Sequence, residues 1–556
     1  MQRNLKRLSE ETYDLLIIGG GVNGLSAAWD ASLRGLKVAL VEKKDFGAET
    51  SSATLKIVHG GLRYLQHLDF IRMRESIRER STMLRIAPHL VEPFPFLVPT
   101  YGHLMQGKEA MTAAVLMNEF MSFDRNRQLS DPARRIPFGR IISKKECLEL
   151  APGVEQKGLT GGMIFYDAQM YNSERLTLCF ALSAAEKGAD LANYVEVTAL
   201  VREGTRVTGA KAKDLLTGSE FEIRAKVTAN MTGPWSDIVM GLLDKPKPDR
   251  RVLRSKGIQI VTPRLTDAIA LAVPSAYEDP DAILSRGTRN FFITPWRGVS
   301  LVGTTDTVYE GDPDDFRITA KDVADFVEEI NQSLPSAKLK PEQVPFAFGG
   351  LRPITEKNID AGSKVARKYE VNDHTTDLGV EGFFTVIGVK YTTCRFLAEK
   401  VVNLAFEKLN RSSPKIMTEN TPLAGGKIER FDEFMSRSVA ERAPGFDEAM
   451  MRHLVRSYGS DLAAITGLAK QDPKLGDRIP GSAEVAKAEI VHAVRQESAL
   501  HLEDVVLRRT DLGTLGYPGR NALNACADIM GNELRWDAAC RQREVQAVEK
   551  RFEFKD

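Results

Sequence analysis

Apolar positions first gather in YDLLIIG, from Tyr13 to Gly19, a nearly unbroken run closed by glycines. A run this short and this apolar predicts a strand buried on both faces. From Gly21 to Arg34 the apolar residues recur at helical spacing, and Gly35 stands where a helix would end. KVALVE, residues 37–42, is a second short apolar run. Together these predict a strand–helix–strand unit with a parallel crossover.

Further on, a charged helical pattern covers 69–86, and Pro88, Pro93, Pro95 and Pro99 break it. Residues 108–123 carry Met111, Val115, Leu116, Met117, Phe120 and Met121 at helical spacing. Such a stripe predicts a core helix; the competing reading is a surface helix that meets a membrane or a quinone. Residues 158–215 mix strands with a helix over 173–187. KVTANMTGP, 226–234, predicts a buried strand ending in a turn. Residues 251–312 are rich in strand patterns, with turns at PWRGVS and EGDPDD, and 320–334 predict a helix. A strand, a glycine and a helix follow over 383–400. After about Met417 the pattern is helical to the end, which predicts a separate C-terminal domain. The fold class is therefore α/β with an added α domain.

Charge narrows the partners. The 556 residues carry 76 basic and 75 acidic side chains, a net charge of +1, so nucleic acid is not an expected partner. The five cysteines, Cys147, Cys179, Cys394, Cys526 and Cys540, include no CxxC pair. Neither a metal site nor a disulfide framework is expected, and a reducing compartment suits them. The N-terminus MQRNLKRLSEETYD lacks the apolar stretch of a secretory signal. No segment approaches the roughly 18 apolar residues of a membrane span. The expected location is the cytoplasm, free or peripheral on the inner face of the membrane, and a homodimer stays open.

The chemistry begins at Gly19-Gly20-Gly21-Val22-Asn23-Gly24, a GxGxxG set on Gly19, Gly21 and Gly24 with Asn23 inside it. The first glycine permits the turn, the second lets backbone approach a pyrophosphate, and the third lets the helix pack on the strand. The free N–H groups of the helix start then face the phosphates. Glu42 ends the next strand 18 residues after Gly24, where a carboxylate meets ribose hydroxyls. No second GxGxxG is present for a nicotinamide cofactor, and ETSSATLKIVHGGLR directly follows the second strand, so FAD is favoured.

Longer stretches make the chain recognisable. It resembles the FAD-dependent glycerol-3-phosphate dehydrogenases in YDLLIIGGGVNGLSAAWDASLRGLKVALVEKKDF, TSSATLKIVHGGLRYLQHLDF, APHLVEPFPF, NMTGPWSD, SLVGTTDTVYEGDP, GGLRPI and VIGVKYTTCRFLAEK. ALHLEDVVLRRTDLG resembles the helical cap domain of that family. The resemblance implies a glutathione-reductase-type Rossmann-like FAD domain joined to a D-amino-acid-oxidase-like substrate domain. Its parts would be FAD domain 1–100, inserted helical segment 101–155, FAD domain 156–240, substrate domain 241–350, FAD domain 351–416 and helical domain 417–556. It implies non-covalent FAD and oxidation of sn-glycerol 3-phosphate to dihydroxyacetone phosphate. Electrons would pass to a quinone, or to oxygen in a sister group.

By the same resemblance Thr50, Ser51 and Ser52 would lie near the pyrophosphate and ring, and Thr232 and Gly233 would close over the adenine side. Gly388, Lys390, Tyr391 and Thr392 would lie beside the flavin. Arg63 and Tyr64 would line the substrate pocket, with Arg352 next to the reacting carbon or the phosphate and Arg367 on the phosphate side. A near-dianionic phosphate calls for arginine forks, and Arg352 and Lys390 could favour the developing alkoxide and the reduced flavin. One departure stands out: KGIQIVTP places Gln259 where the family commonly has a histidine. An amide does not titrate in the useful range, so His59 becomes the alternative base. The change also admits a longer polyol phosphate, or a flavin-binding protein without turnover. GVK in place of GGK is a smaller departure, and 100–150 is longer than the bacterial quinone-linked type leads one to expect.

Overall fold

The structure is a computed structural model that describes residues 1–102, 107–243, 252–278, 288–354, 369–388 and 390–554, with the side chains of Arg63, Gln66, His67, 276–278 and 288–290 left out. Two sheets organise it. In the first, the strands Phe383–Ile387, Glu220–Asn230, Thr12–Ile18, Val38–Val41 and Asp190–Ala192 run parallel in that order. The predicted strand–helix–strand unit is present as Thr12–Ile18, Val22–Leu33 and Val38–Val41. Its first strand is buried from Tyr13 onward because Leu15 and Ile17 pack on helices, while Tyr13, Leu16 and Ile18 pack on the strands Val195–Glu203 and Arg206–Asp214. Asp14 is the polar exception, and Lys226 and Arg411 neutralise it at 2.8 and 3.0 Å.

Among the described residues the second sheet has ten strands. Towards one edge lies Leu253–Thr262, flanked by Val299–Gly303 and Phe346–Ile354, all antiparallel. Its far half is Val91–Tyr101 paired with Leu159–Met170, to which Ile57–Val58 and Arg140–Ser143 add. The sheet thus draws strands from segments hundreds of residues apart. Residues 101–155 are not purely helical: Arg140–Ser143 is a strand on Leu159–Met170.

The helix Lys108–Met121 corrects an expectation. Only Val115 is buried, while Leu116 and Phe120 are 65% and 73% exposed. The core-helix reading fails because the stripe wraps too far round: Val115 and Met111 pack on Phe96, Met163 and Phe165, while Leu116, Met117 and Phe120 face outward. Among the described residues no helix is long and apolar enough to cross a membrane.

Of the C-terminal helices, those from Lys487–Glu497 to Ala538–Lys550 pack on the second sheet. Ile490, Leu502, Val505 and Met530 share one buried cluster with Val261, Trp296, Phe346 and Phe348. Burying apolar side chains of this size contributes about 1.5–3 kcal/mol each, which fixes the helical domain to the wall that carries the site.

Candidate active site

A cavity of about 1620 Å³ runs between the two sheets. At one end lies the glycine turn. Gly19 has φ +111°, and a Cβ there would stand 2.7 Å from the Met231 carbonyl oxygen. A Cβ on Gly24 would stand 2.0 Å from the Gly19 carbonyl oxygen, so only glycine lets the helix approach the strand. Glu42 accepts from the Gly20 and Lys44 backbone N–H groups at 2.6 and 2.8 Å. Burial pushes its carboxyl above the usual carboxylate range, against those two bonds.

The Ser/Thr loop closes on the same helix start. Val22 N–H donates to Ser51 Oγ at 2.9 Å, and Thr50 Oγ1 donates to the Leu351 carbonyl at 2.6 Å. Thr50 therefore ties the dinucleotide end to the strand that bears Arg352. Ser52 turns inward onto the Ala48 and Glu49 carbonyls at 3.2 and 2.8 Å. Thr232 and Gly233 line the cavity on the far side, with Thr232 Oγ1 donating to Asn230 Oδ1 at 2.7 Å. Asn23 and Gly388 meet closely: a Cβ on Gly388 would stand 2.2 Å from Asn23 Nδ2. Asn23 Oδ1 is buried with no hydrogen-bond partner among the described residues.

HGGLRY and GVKYTT meet in the middle. His59 N–H donates to Thr392 Oγ1 at 3.3 Å, and Lys390 Nζ sits 4.3 Å from the Tyr64 ring centre. The His59 and Tyr64 rings meet edge to face at 6.1 Å. Tyr391 Oη donates to the Ser173 carbonyl at 3.0 Å. The Arg63 backbone lies in the short helix Leu62–His67, its side chain outside the described part, and Arg367 falls outside the described residues.

At the other end Arg352 faces Gly257 across paired strands. A Cβ on Gly257 would stand 2.8 Å from Arg352 Nη2, so the glycine makes room for the guanidinium. Arg352 Nη2 donates to the Thr305 carbonyl at 2.8 Å and lies 3.3 Å from Asp306. Asp306 also accepts from Ser255. Asp306 is part of the GTTD stretch, yet nothing short of the pairing of Leu253–Thr262 with Phe346–Ile354 singles it out. Gln259, on the same strand, is 5% exposed, and its Nε2 donates to Thr304 Oγ1 at 2.8 Å.

The sequence profile of the FAD dependent oxidoreductases matches residues 14–390, and that of the C-terminal domain of alpha-glycerophosphate oxidase matches 416–541. The glycerol-3-phosphate dehydrogenase of Synechocystis sp. is 33% identical over 98% of this chain and 97% of its own length. The mitochondrial glycerol-3-phosphate dehydrogenase of Homo sapiens is 32% identical over 97% of this chain and 73% of its own. The chain belongs to the FAD-dependent glycerol-3-phosphate dehydrogenase family. The crystal structure of the Bacillus halodurans glycerol-3-phosphate dehydrogenase complexed with FAD superposes with a TM-score of 0.76 at 25% identity, covering 99% of this chain and 96% of that one.

FAD is the cofactor of this family, and the residues here fit it: Gly19 and Gly24 leave no room for a Cβ, Glu42 ends the neighbouring strand on the cavity wall, and the cavity continues from there to Arg352. The C-terminal domain of the family supports this cradle directly. Asp45, three residues past Glu42, is fully buried and accepts from Arg508 Nε at 2.7 Å and from Arg509 Nη1 and Nη2 at 2.7 and 2.8 Å. Burial alone would raise its carboxyl; the two guanidiniums hold it far below the usual range. Arg175 and Glu497 repeat the pairing nearby at 2.8 Å. Sequence reading missed Asp45, Arg508 and Arg509, because nothing local marks residues 463 positions apart as partners.

Proposed function

We propose that this chain oxidises sn-glycerol 3-phosphate to dihydroxyacetone phosphate and passes the electrons to a quinone. Arg352 carries the reading. A phosphate near its dianion needs a fork of charged donors, and Arg352 offers one on the cavity wall, positioned by Thr305 and Asp306. Bound FAD supplies the hydride-accepting ring, and the protein contributes binding, orientation and field. Gly19, Gly21 and Gly24 would seat the pyrophosphate, Glu42 the ribose, and Thr50 and Ser51 the loop over it. Lys390, stacked over Tyr64, would place a cation where the oxidised carbinol oxygen and the reduced ring gain negative charge. His59 and Asp306 both line the cavity wall, His59 in its middle and Asp306 beside Arg352.

The acceptor side rests on the surface helix. Phe96, Val98, Met111, Met163, Phe165 and Phe292 line an apolar arm of the cavity, and Met111 belongs to the helix whose outer face exposes Leu116, Met117 and Phe120. Phe123 and Phe138 extend that face, with the Arg74 and Arg125 guanidiniums 5.6 and 4.6 Å from their rings. Apolar rings beside cations suit contact with a membrane interface, where a quinone dissolves.

Anaerobic titration of the FAD-loaded protein with sn-glycerol 3-phosphate tests the substrate. Bleaching of the flavin is the expected result; an unchanged spectrum rejects the reading. Sedimentation with phospholipid vesicles tests the membrane side, and the expected result is binding that Phe120→Ser together with Phe123→Ser abolishes.

A further inference from the structure

The strand Leu253–Thr262 presents Ser255, Gly257 and Gln259 on one face, because alternate residues share a side. Ser255 holds Asp306, Gly257 gives its space to Arg352, and Gln259 comes next. All three lie on the cavity. Two residues of strand span about 6.6 Å, so Gln259 begins about that far along the wall from Gly257, over which the Arg352 guanidinium lies. A three-carbon phosphate bridges such a gap, with its anion at the Arg352 end and its middle hydroxyl, the one that is oxidised, at the Gln259 end.

The amide is held in one orientation. Its Nε2 donates to Thr304 Oγ1, while Gly303 across the sheet leaves room for its side chain: a Cβ there would stand 2.8 Å from Gln259 Cγ. Oε1 is buried, and among the described residues no group donates to it. A buried acceptor without a donor is costly, and the side of the amide that lacks one belongs to a residue lining the cavity.

We infer that Gln259 Oε1 accepts a hydrogen bond from the substrate hydroxyl that lies one strand repeat from the Arg352-bound phosphate. Gln259 is thereby a specificity-determining residue that binds the hydroxyl and takes no proton from it. This rests on the reading of the chain as a polyol-phosphate dehydrogenase. A site that pairs with a substrate hydroxyl rejects the analogue that lacks it, since the analogue leaves the acceptor unpaired.

The test compares sn-glycerol 3-phosphate with 1,3-propanediol monophosphate, which lacks the middle hydroxyl, on the FAD-loaded protein. Substrate affinity comes from the concentration dependence of anaerobic flavin bleaching. Analogue affinity comes from calorimetry, which needs no turnover. The parent should bind the substrate about 5- to 100-fold tighter than the analogue. Gln259→Met, similar in volume but without the acceptor, should bring that ratio close to one and leave analogue affinity unchanged. Discrimination that survives in Gln259→Met overturns the inference. So does a parent that bleaches with the substrate yet binds both compounds equally, a result independent of any variant. A parent that neither bleaches with nor binds any polyol phosphate removes the functional reading itself, and the inference with it.

Discussion

Replacing Gly257 with alanine puts one methyl group where the Arg352 guanidinium now lies. The new Cβ would stand 2.8 Å from Nη2, 3.1 Å from Cζ and 3.2 Å from Nε. Carbon atoms pack best at about 3.5–4.0 Å, so the whole planar group must move by several tenths of an ångström or more. The backbone need not move, because the obstructing atoms are the far end of a flexible side chain. The fold should therefore survive with flavin bound, and thermal stability should change little. Substrate affinity should not survive intact. A hydrogen bond to a charged group is worth about 1.5–3 kcal/mol, so misplacing one donor of the fork weakens binding about 10- to 150-fold. The assay is the substrate dependence of anaerobic flavin bleaching, with inorganic phosphate as a competing ligand. Both should weaken together, while the limiting bleaching rate changes less. Unaltered affinity for both ligands would refute the placement of the anion at Arg352.

Three further outcomes are expected. Asp45→Asn leaves the Arg508 and Arg509 guanidiniums buried without their shared carboxylate; Arg508 keeps Asp504 and Glu503, so the loss should fall near the low end of the roughly 3–5 kcal/mol for a broken buried pair. Thermal unfolding should show it, with faster FAD release, and a parent-like melting curve would speak against the clamp. Burial, with the Arg175, Arg134 and Arg456 charges behind it, pushes the His89 ring down to about 3. The unfolded ring titrates near about 6.5 and takes up a proton that the folded ring refuses, so stability falls with pH below that point, by about 2 kcal/mol at pH 5; urea unfolding of His89→Gln between pH 7.5 and 5 should lack that loss. Burial raises Glu497, yet Arg175 outweighs it and holds the carboxyl at about 2. Its stabilisation is present above the ordinary glutamate range near about 4.3 and is lost as pH falls toward 2, so Glu497→Gln should be less stable at pH 7 and flatter in acid titration.

The sequence by itself determined the dinucleotide end. Gly19, Gly21, Gly24 and Glu42 sit in contiguous turns and strand ends whose geometry depends on neighbours in the chain, and local rules describe them. It also determined the helical C-terminal domain, since helix periodicity is a local signal. Arg352 and Gln259 were legible as residue types that the resemblance singles out, while their shared wall was not.

Only the tertiary structure decided that Gly257 and Gln259 stand in line with Arg352, because the register between Leu253–Thr262 and Phe346–Ile354 joins residues nearly a hundred positions apart. It alone assembled the ten-stranded sheet from segments that begin at Ile57 and end at Ile354. It turned the Met/Phe helix outward, a choice that depends on how much of the helix the neighbouring strands cover and not on its own pattern. And it brought Arg508 and Arg509 to Asp45: charge pairing acts through space, and a buried carboxylate takes whichever guanidiniums the packed domains deliver to it.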